Sequence, residues 1–186
     1  MAQQWEADLQ AWAQGWDAVL DGAGPAVHAW SGEVPSEEGA VVVCPPEQLR
    51  DVRAAVAAAG RSVAAEQVLL GGAVRELDRG LGFPGESGMF DAPMGEYSRF
   101  EVDEWGHPVA HSTMSVQGEV AFVGPLRTDA NQDRDPAEVL DPLVAAMANE
   151  AFLADAERLY TVVDEGEVTG RESQGWERAA AVLRLA

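Results

Sequence analysis

Asp129, Asp133, Asp135 and Pro136 crowd one short segment, between a strand-like run at 120–127 and a helix-like run that ends near Ala154. A helix that follows a strand points its free backbone N–H groups, and the positive end of its dipole, at the intervening loop. That is the chemistry of an anion site. Here the loop is acidic. Asp135-Pro136-Ala137-Glu138 also reads as a helix start complete in itself, with Asp at the N-cap, Pro at the first helical position and Glu at the third. The Asp135 carboxylate would then accept the first-turn N–H bonds that an incoming anion needs. Asp141-Pro142 is a second start signal; with it the residues 129–141 are all loop, and the loop is still acidic.

Other reactive side chains are sparse. His107 and His111 are four apart, a metal-ligand spacing on a helix, but Pro108 places them on a turn and a strand, where that spacing loses its meaning. His111 alternates with Thr113 and Ser115, so the three share one strand face, either lining a cleft or solvated. Cys44 is the single cysteine. It excludes a disulfide framework and a cysteine zinc site, and it reads as a small buried filler after Val41-Val42-Val43. No metal site is expected.

The composition narrows the partners. The net charge is −20, and all 12 basic residues are arginine. Such a surface repels nucleic acid and anionic lipid, so neither is an expected partner. Hydrophobic residues make up 47% of the 186, enough for a full core. No apolar run approaches the ~20 residues that span a bilayer. The N-terminus is acidic and polar, without the basic start and apolar core of a signal peptide, and a cytoplasmic location is expected.

The elements that must position this chemistry follow from periodicity. Trp5, Leu9, Trp12, Trp16 and Leu20 mark one face of an amphipathic helix over 5–20, which either packs on the body of the protein or clamps a ligand or partner. Residues 21–39 are rich in Gly, Pro and Glu and read as a linker. Residues 40–94 read β-α-β-α-β: strands at 41–44, 62–68 and 89–94, helices opened by Pro45-Pro46-Glu47 and over 73–81. Residues 95–186 read β-β-β-α-β-α-β, with strands at 97–104, 109–117, 120–127, 158–163 and 176–185 and a short helix over 166–174. Gly124-Pro125 inside the third strand of this half predicts a bulge. The fold class is α/β, a mixed central sheet flanked by helices, in three segments: 1–39, 40–94 and 95–186.

This order, with GHPVAHSTMSVQGEVAFVGPLRTD, VLDPLVAAMANEA, AERLYTVVDEG and GWERAAAVLRL in place, resembles the GNAT family of acetyl-CoA-dependent N-acetyltransferases over about 96–186. Gly82-Phe83 echoes Gly175-Trp176, so residues 40–94 resemble a degenerate half-copy of the same fold. The resemblance implies acetyl-CoA or CoA as cofactor. It places the thioester and pantetheine on the central strand near Val123 and Leu126, and phosphate near Arg127, Gln132, Arg134 and Ala137. It implies a general base on the central strands, where Glu119, His111 and Glu101 stand. The Tyr that protonates the departing thiolate in many members would fall at or near Arg171; the nearest hydroxyl is Ser173, and Tyr160 on the preceding strand reads as packing.

The segment also departs from the family. The phosphate loop of the family reads Arg/Gln-x-x-Gly-x-Gly/Ala; here Asp135 stands at the first glycine and Pro136 removes an N–H donor. The function expected is therefore a GNAT-fold protein with an eroded acetyl-CoA site. It would bind a small molecule or a protein partner, or act as a non-standard acyltransferase. The alternatives are a working N-acetyltransferase on an unknown amine and an oligomeric structural module, a homodimer included, built on the Trp-rich helix.

Overall fold

The structure is a computed structural model and describes residues 4–129 and 135–186. Chain order explains the first layer. A single turn, α1 (Gln4–Ala7), precedes α2 (Leu9–Val19), and their tryptophans face inward: Trp5 and Trp12 are fully buried and Trp16 nearly so. The stripe packs on the chain's own sheet, where Trp16 stacks on Phe122 at 5.8 Å between ring centroids. Gly15 in mid-helix has a steric cause, since an added Cβ would lie 2.7 Å from Phe122 Cβ. Only glycine lets the helix settle this close to the sheet.

The segment 21–39 contains β1 (Val27–Ala29), which pairs in parallel with β2 (Val41–Cys44). The linker expectation is corrected there: three half-buried residues are too few to show an alternation. After a 3-10 turn (Pro46–Gln48), α3 (Leu49–Ala58) buries Val52 and Val56. Next comes β3 (Val63–Ala73), longer than the 62–68 expected, because it runs on through Gly71-Gly72 between two neighbours that supply its ladder bonds. The helix expected over 73–81 is one turn only, α4 (Val74–Leu77), which anchors Leu77 in the core.

Then come β4 (Ser87–Pro93), β5 (Ser98–Glu104) and β6 (His107–Gln117). The turn between β5 and β6 has Trp105 and Gly106 both at positive φ, the geometry that matches strand twist in a two-residue hairpin. The single strand expected over 120–127 is divided into β7 (Val120–Val123) and β8 (Arg127–Thr128). Both pair with β6, and the register between them shifts by one residue across Gly124-Pro125-Leu126, a bulge where the sequence predicts one. The chain ends with α5 (Ala137–Leu153), β9 (Arg158–Val163), α6 (Glu165–Ser173) and β10 (Glu177–Leu185).

Among the described residues the strands form one mixed, mostly antiparallel sheet in the order β1-β2-β10-β3-β9-β7-β6-β5-β4, with β8 against β6. The last strand enters between β2 and β3, so the sheet passes through all three segments. One face is covered by α2; the other carries α5 and α6 around Leu70, Leu143, Met147, Leu159 and Trp176, with α3 over Val42 and Leu183. No helix among the described residues is long and apolar enough to cross a membrane.

Candidate functional site: a notch between two parallel strands

β7 and β9 are neighbours in parallel, and their register ends at Phe122↔Tyr160. Beyond that pair the bulge carries 124–126 toward β6, while Thr161–Val163 of β9 remains paired with β3 on its other edge. A notch opens between them. Gly124 shapes one wall: its N–H donates to the Thr113 carbonyl at 2.8 Å and its carbonyl accepts from Ser112 Oγ at 3.2 Å. An added Cβ at Gly124 would collide with Thr113 Oγ1. Because the Gly124 N–H points at β6, strand alternation turns the N–H of Val123 toward β9, where the ladder ends at Phe122↔Tyr160.

The cavity there is about 110 Å³. Pro125, Leu126 and Arg127 line one side, and Thr161, Val163 and Asp164 the other. Its floor comes from α6, which presents Glu167 and Arg171. That helix starts with a capping box between Asp164 and Glu167, which fixes both carboxylates. Asp164 Oδ1 also accepts from Gln67 Nε2 at 3.0 Å. Arg171 is 6% exposed, and burial holds its guanidinium below the usual arginine range. It donates from Nη1 to Gln174 Oε1 at 3.1 Å, and Gln174 in turn donates to Asp141. A larger cavity, of about 640 Å³, lies by Phe152 and Leu153 at the far end of α5, away from this constellation.

The sequence candidates divide between these places. Leu126 and Arg127 line the notch, with Arg127 exposed at the rim, and Val123 is buried at the end of β7, just before the bulge. Ala137 is one element away, where its N–H donates to Asp135 Oδ1 at 3.0 Å. Gln132 and Arg134 lie outside the described residues. Glu119 is in the β6–β7 turn, at the opposite end of β7 from the notch, with its carboxylate 3.9 Å from Arg158. His111 is exposed on β6, in register with Glu101 on β5 and Arg127 on β8. Ser115, on the same face, is buried and bonded to the Glu96 carbonyl at 2.7 Å. Ser173 is exposed and donates to the Gly170 carbonyl at 2.7 Å; the α6 residue that lines the notch is Arg171.

Sequence reasoning passed over Arg171 as a binding group and Thr161 altogether. A signal for Arg171 was present, because an arginine with Val168 on the same helix, just before Gly175-Trp176, is placed to turn inward. Thr161 gave none, since a threonine in an apolar strand is ordinary. Among the described residues no group of three or more His, Cys, Asp or Glu is placed to hold a metal ion.

A splayed parallel pair, a bulge on one of its strands and a helix leaving that strand define an α/β protein with a gap in its central sheet. No family model matches the sequence, and no curated protein matches it. Solved structures do. A GCN5-related N-acetyltransferase from Kribbella flavida superposes with a TM-score of 0.60 at 17% identity, over 78% of this chain and 67% of that one. A tandem GNAT protein from the clavulanic acid biosynthesis pathway gives 0.57 at 10% identity, over 78% and 63%. A GCN5-related N-acetyltransferase from Sphaerobacter thermophilus gives 0.56 at 8%, over 82% and 61%. The chain thus spans less than two thirds of the latter two. At these identities the likeness establishes the fold: this is a GNAT-fold protein.

Proposed function

We propose that this chain is an acyltransferase-related binding protein whose acetyl-CoA site is eroded: the notch takes a small molecule or a segment of a partner, and the N-terminus of α5 does not take a cofactor pyrophosphate. The observation that carries this reading is the 3.0 Å bond from the Ala137 N–H to Asp135 Oδ1. It commits a first-turn donor inside the chain, next to Pro136, which has none. The carboxylates of Asp135 and Glu138 add repulsion toward a polyphosphate. The described residues at this end do not fit the pyrophosphate. Calorimetric titration with acetyl-CoA and CoA at moderate salt is the test. The reading expects no binding with either ligand in the micromolar range; micromolar affinity sinks it.

A second reading, a working acetyl-CoA-dependent N-acetyltransferase, is favoured by the notch itself. The apolar wall at Leu126 suits the pantetheine arm of such a cofactor. Absence of CoA binding even at millimolar ligand sinks that alternative.

A further inference from the structure

The notch contains a charge that the chain only partly answers. Arg171 has five N–H donors in a fixed fork. Among the described residues one of them is used in a hydrogen bond, and the acceptor is the neutral amide of Gln174. Its nearest carboxylate, Glu167, stands 3.9 Å from Nη2, beyond hydrogen-bond distance, and is itself half exposed and tied into the capping box. A buried cation left with unused donors is costly, and it gains most from a planar acceptor that fits its fork.

Two more groups face the same space. Thr161 is 4% exposed and lines the notch. Arg127 stands at the rim and makes no ion pair among the described residues. Asp164 and Glu167 also line the notch, but each is engaged at the start of α6. The cavity of about 110 Å³ equals the liquid volume of about four waters, room for a carboxylate on a short chain.

We propose that the notch is a carboxylate subsite. A small carboxylic acid, or the carboxylate end of a larger ligand, places its two oxygens on the Arg171 guanidinium, takes a further hydrogen bond from the Thr161 hydroxyl, and has Arg127 beside it at the entrance. A carboxylate is favoured over phosphate because Asp164 and Glu167 also line the notch and repel the denser charge of a phosphate more strongly. The inference rests on the notch as the ligand site and names the chemistry it takes.

The test is calorimetric titration of the full chain with malonate, acetate and inorganic phosphate at constant ionic strength. Malonate and acetate are expected to bind, with phosphate at least about tenfold weaker. Arg171→Gln is expected to reduce carboxylate affinity at least about tenfold, and Thr161→Val about threefold. Phosphate binding as tightly as malonate, carboxylate affinity unchanged in Arg171→Gln, or no heat from either carboxylate at about 50 mM each overturns the proposal. If Arg171→Gln loses its circular-dichroism signature of folding, Thr161→Val decides: a loss of affinity supports the subsite and unchanged affinity overturns it. A separate titration with CoA reads the N-terminus of α5. CoA bound without malonate defeats this inference and also the eroded-site reading, whereas malonate bound leaves this one standing whatever CoA does.

Discussion

Asp8 grips Arg158 with both carboxylate oxygens: Nε donates to Oδ2 at 2.6 Å and Nη2 to Oδ1 at 3.1 Å. Asp8 lies at the break between α1 and α2, and Arg158 opens β9, the strand that forms one wall of the notch. Tyr160, two residues on, donates its hydroxyl to the same Oδ2 at 2.8 Å. The N-terminal helix layer is therefore pinned to the central sheet by a nearly buried bidentate pair. That hydrogen bond also holds the Arg158 guanidinium above its usual range.

Removing the Asp8 carboxylate leaves a poorly solvated arginine and a buried phenol without an acceptor. Asp8→Ala is expected to cost about 2–4 kcal/mol of unfolding free energy, and Tyr160→Phe about 1 kcal/mol. Urea unfolding measures both. Equal stability of Asp8→Ala and wild type would show that the pair holds nothing in place.

The alkaline limit of stability has an identifiable contributor. Burial, then Glu47 and Glu66, push the Cys44 thiol from 9.0 up to about 11. A raised folded value favours the protonated thiol, so the contribution is full below the ordinary value and is lost as pH rises through about 11. Tyr160 is raised as well, by burial and by Asp8, and acts in the same direction at higher pH. Wild-type stability is expected to fall between about pH 9 and pH 11, and Cys44→Ala to fall less steeply. Parallel slopes for the two proteins would rule out the thiol.

The bulge at the notch depends on a single missing Cβ. Gly124→Ala drives a methyl into Thr113 Oγ1 and is expected to cost about 1–3 kcal/mol. Thr113→Ala removes the obstructing atom, so the double variant should recover most of the loss, a coupling that a double-mutant cycle in urea unfolding reads directly. Simple additivity of the two changes would place the strain elsewhere.

Much of this architecture is legible in the residues, and the illegible parts share a physical cause. Trp12 and Trp16 announce their helix by spacing, Gly124-Pro125 announces the bulge, and 137–153 announces its helix. The insertion of β10 between β2 and β3 is invisible, because strand neighbours are set by long-range packing that no local pattern encodes. The extension of β3 beyond the expected 62–68 has the same cause: Gly71-Gly72 weakens a strand locally, and only the flanking β9 and β10 carry it on to Ala73. At the notch, Leu126 and Arg127 are expected through the family resemblance alone. Arg171 and Thr161 become a pair only when α6 folds back over β9.

The N-terminus of α5 supplies the sharpest reversal experiment. Asp135 spends its side chain on the Ala137 N–H, and Pro136 offers no N–H of its own. Changing both to glycine frees the donor, restores the missing N–H and removes one carboxylate from an anion-facing helix end. Loss of the cap is expected to cost about 0.5–2 kcal/mol of stability, while CoA affinity should rise, since each change removes an obstacle to the pyrophosphate. The two effects have opposite signs, so a general loosening of the fold cannot imitate the result. Thermal unfolding measures the first and calorimetry with CoA the second. A double variant that loses stability without gaining CoA affinity would locate the obstacle beyond Asp135 and Pro136, in the remaining acidic residues of that loop.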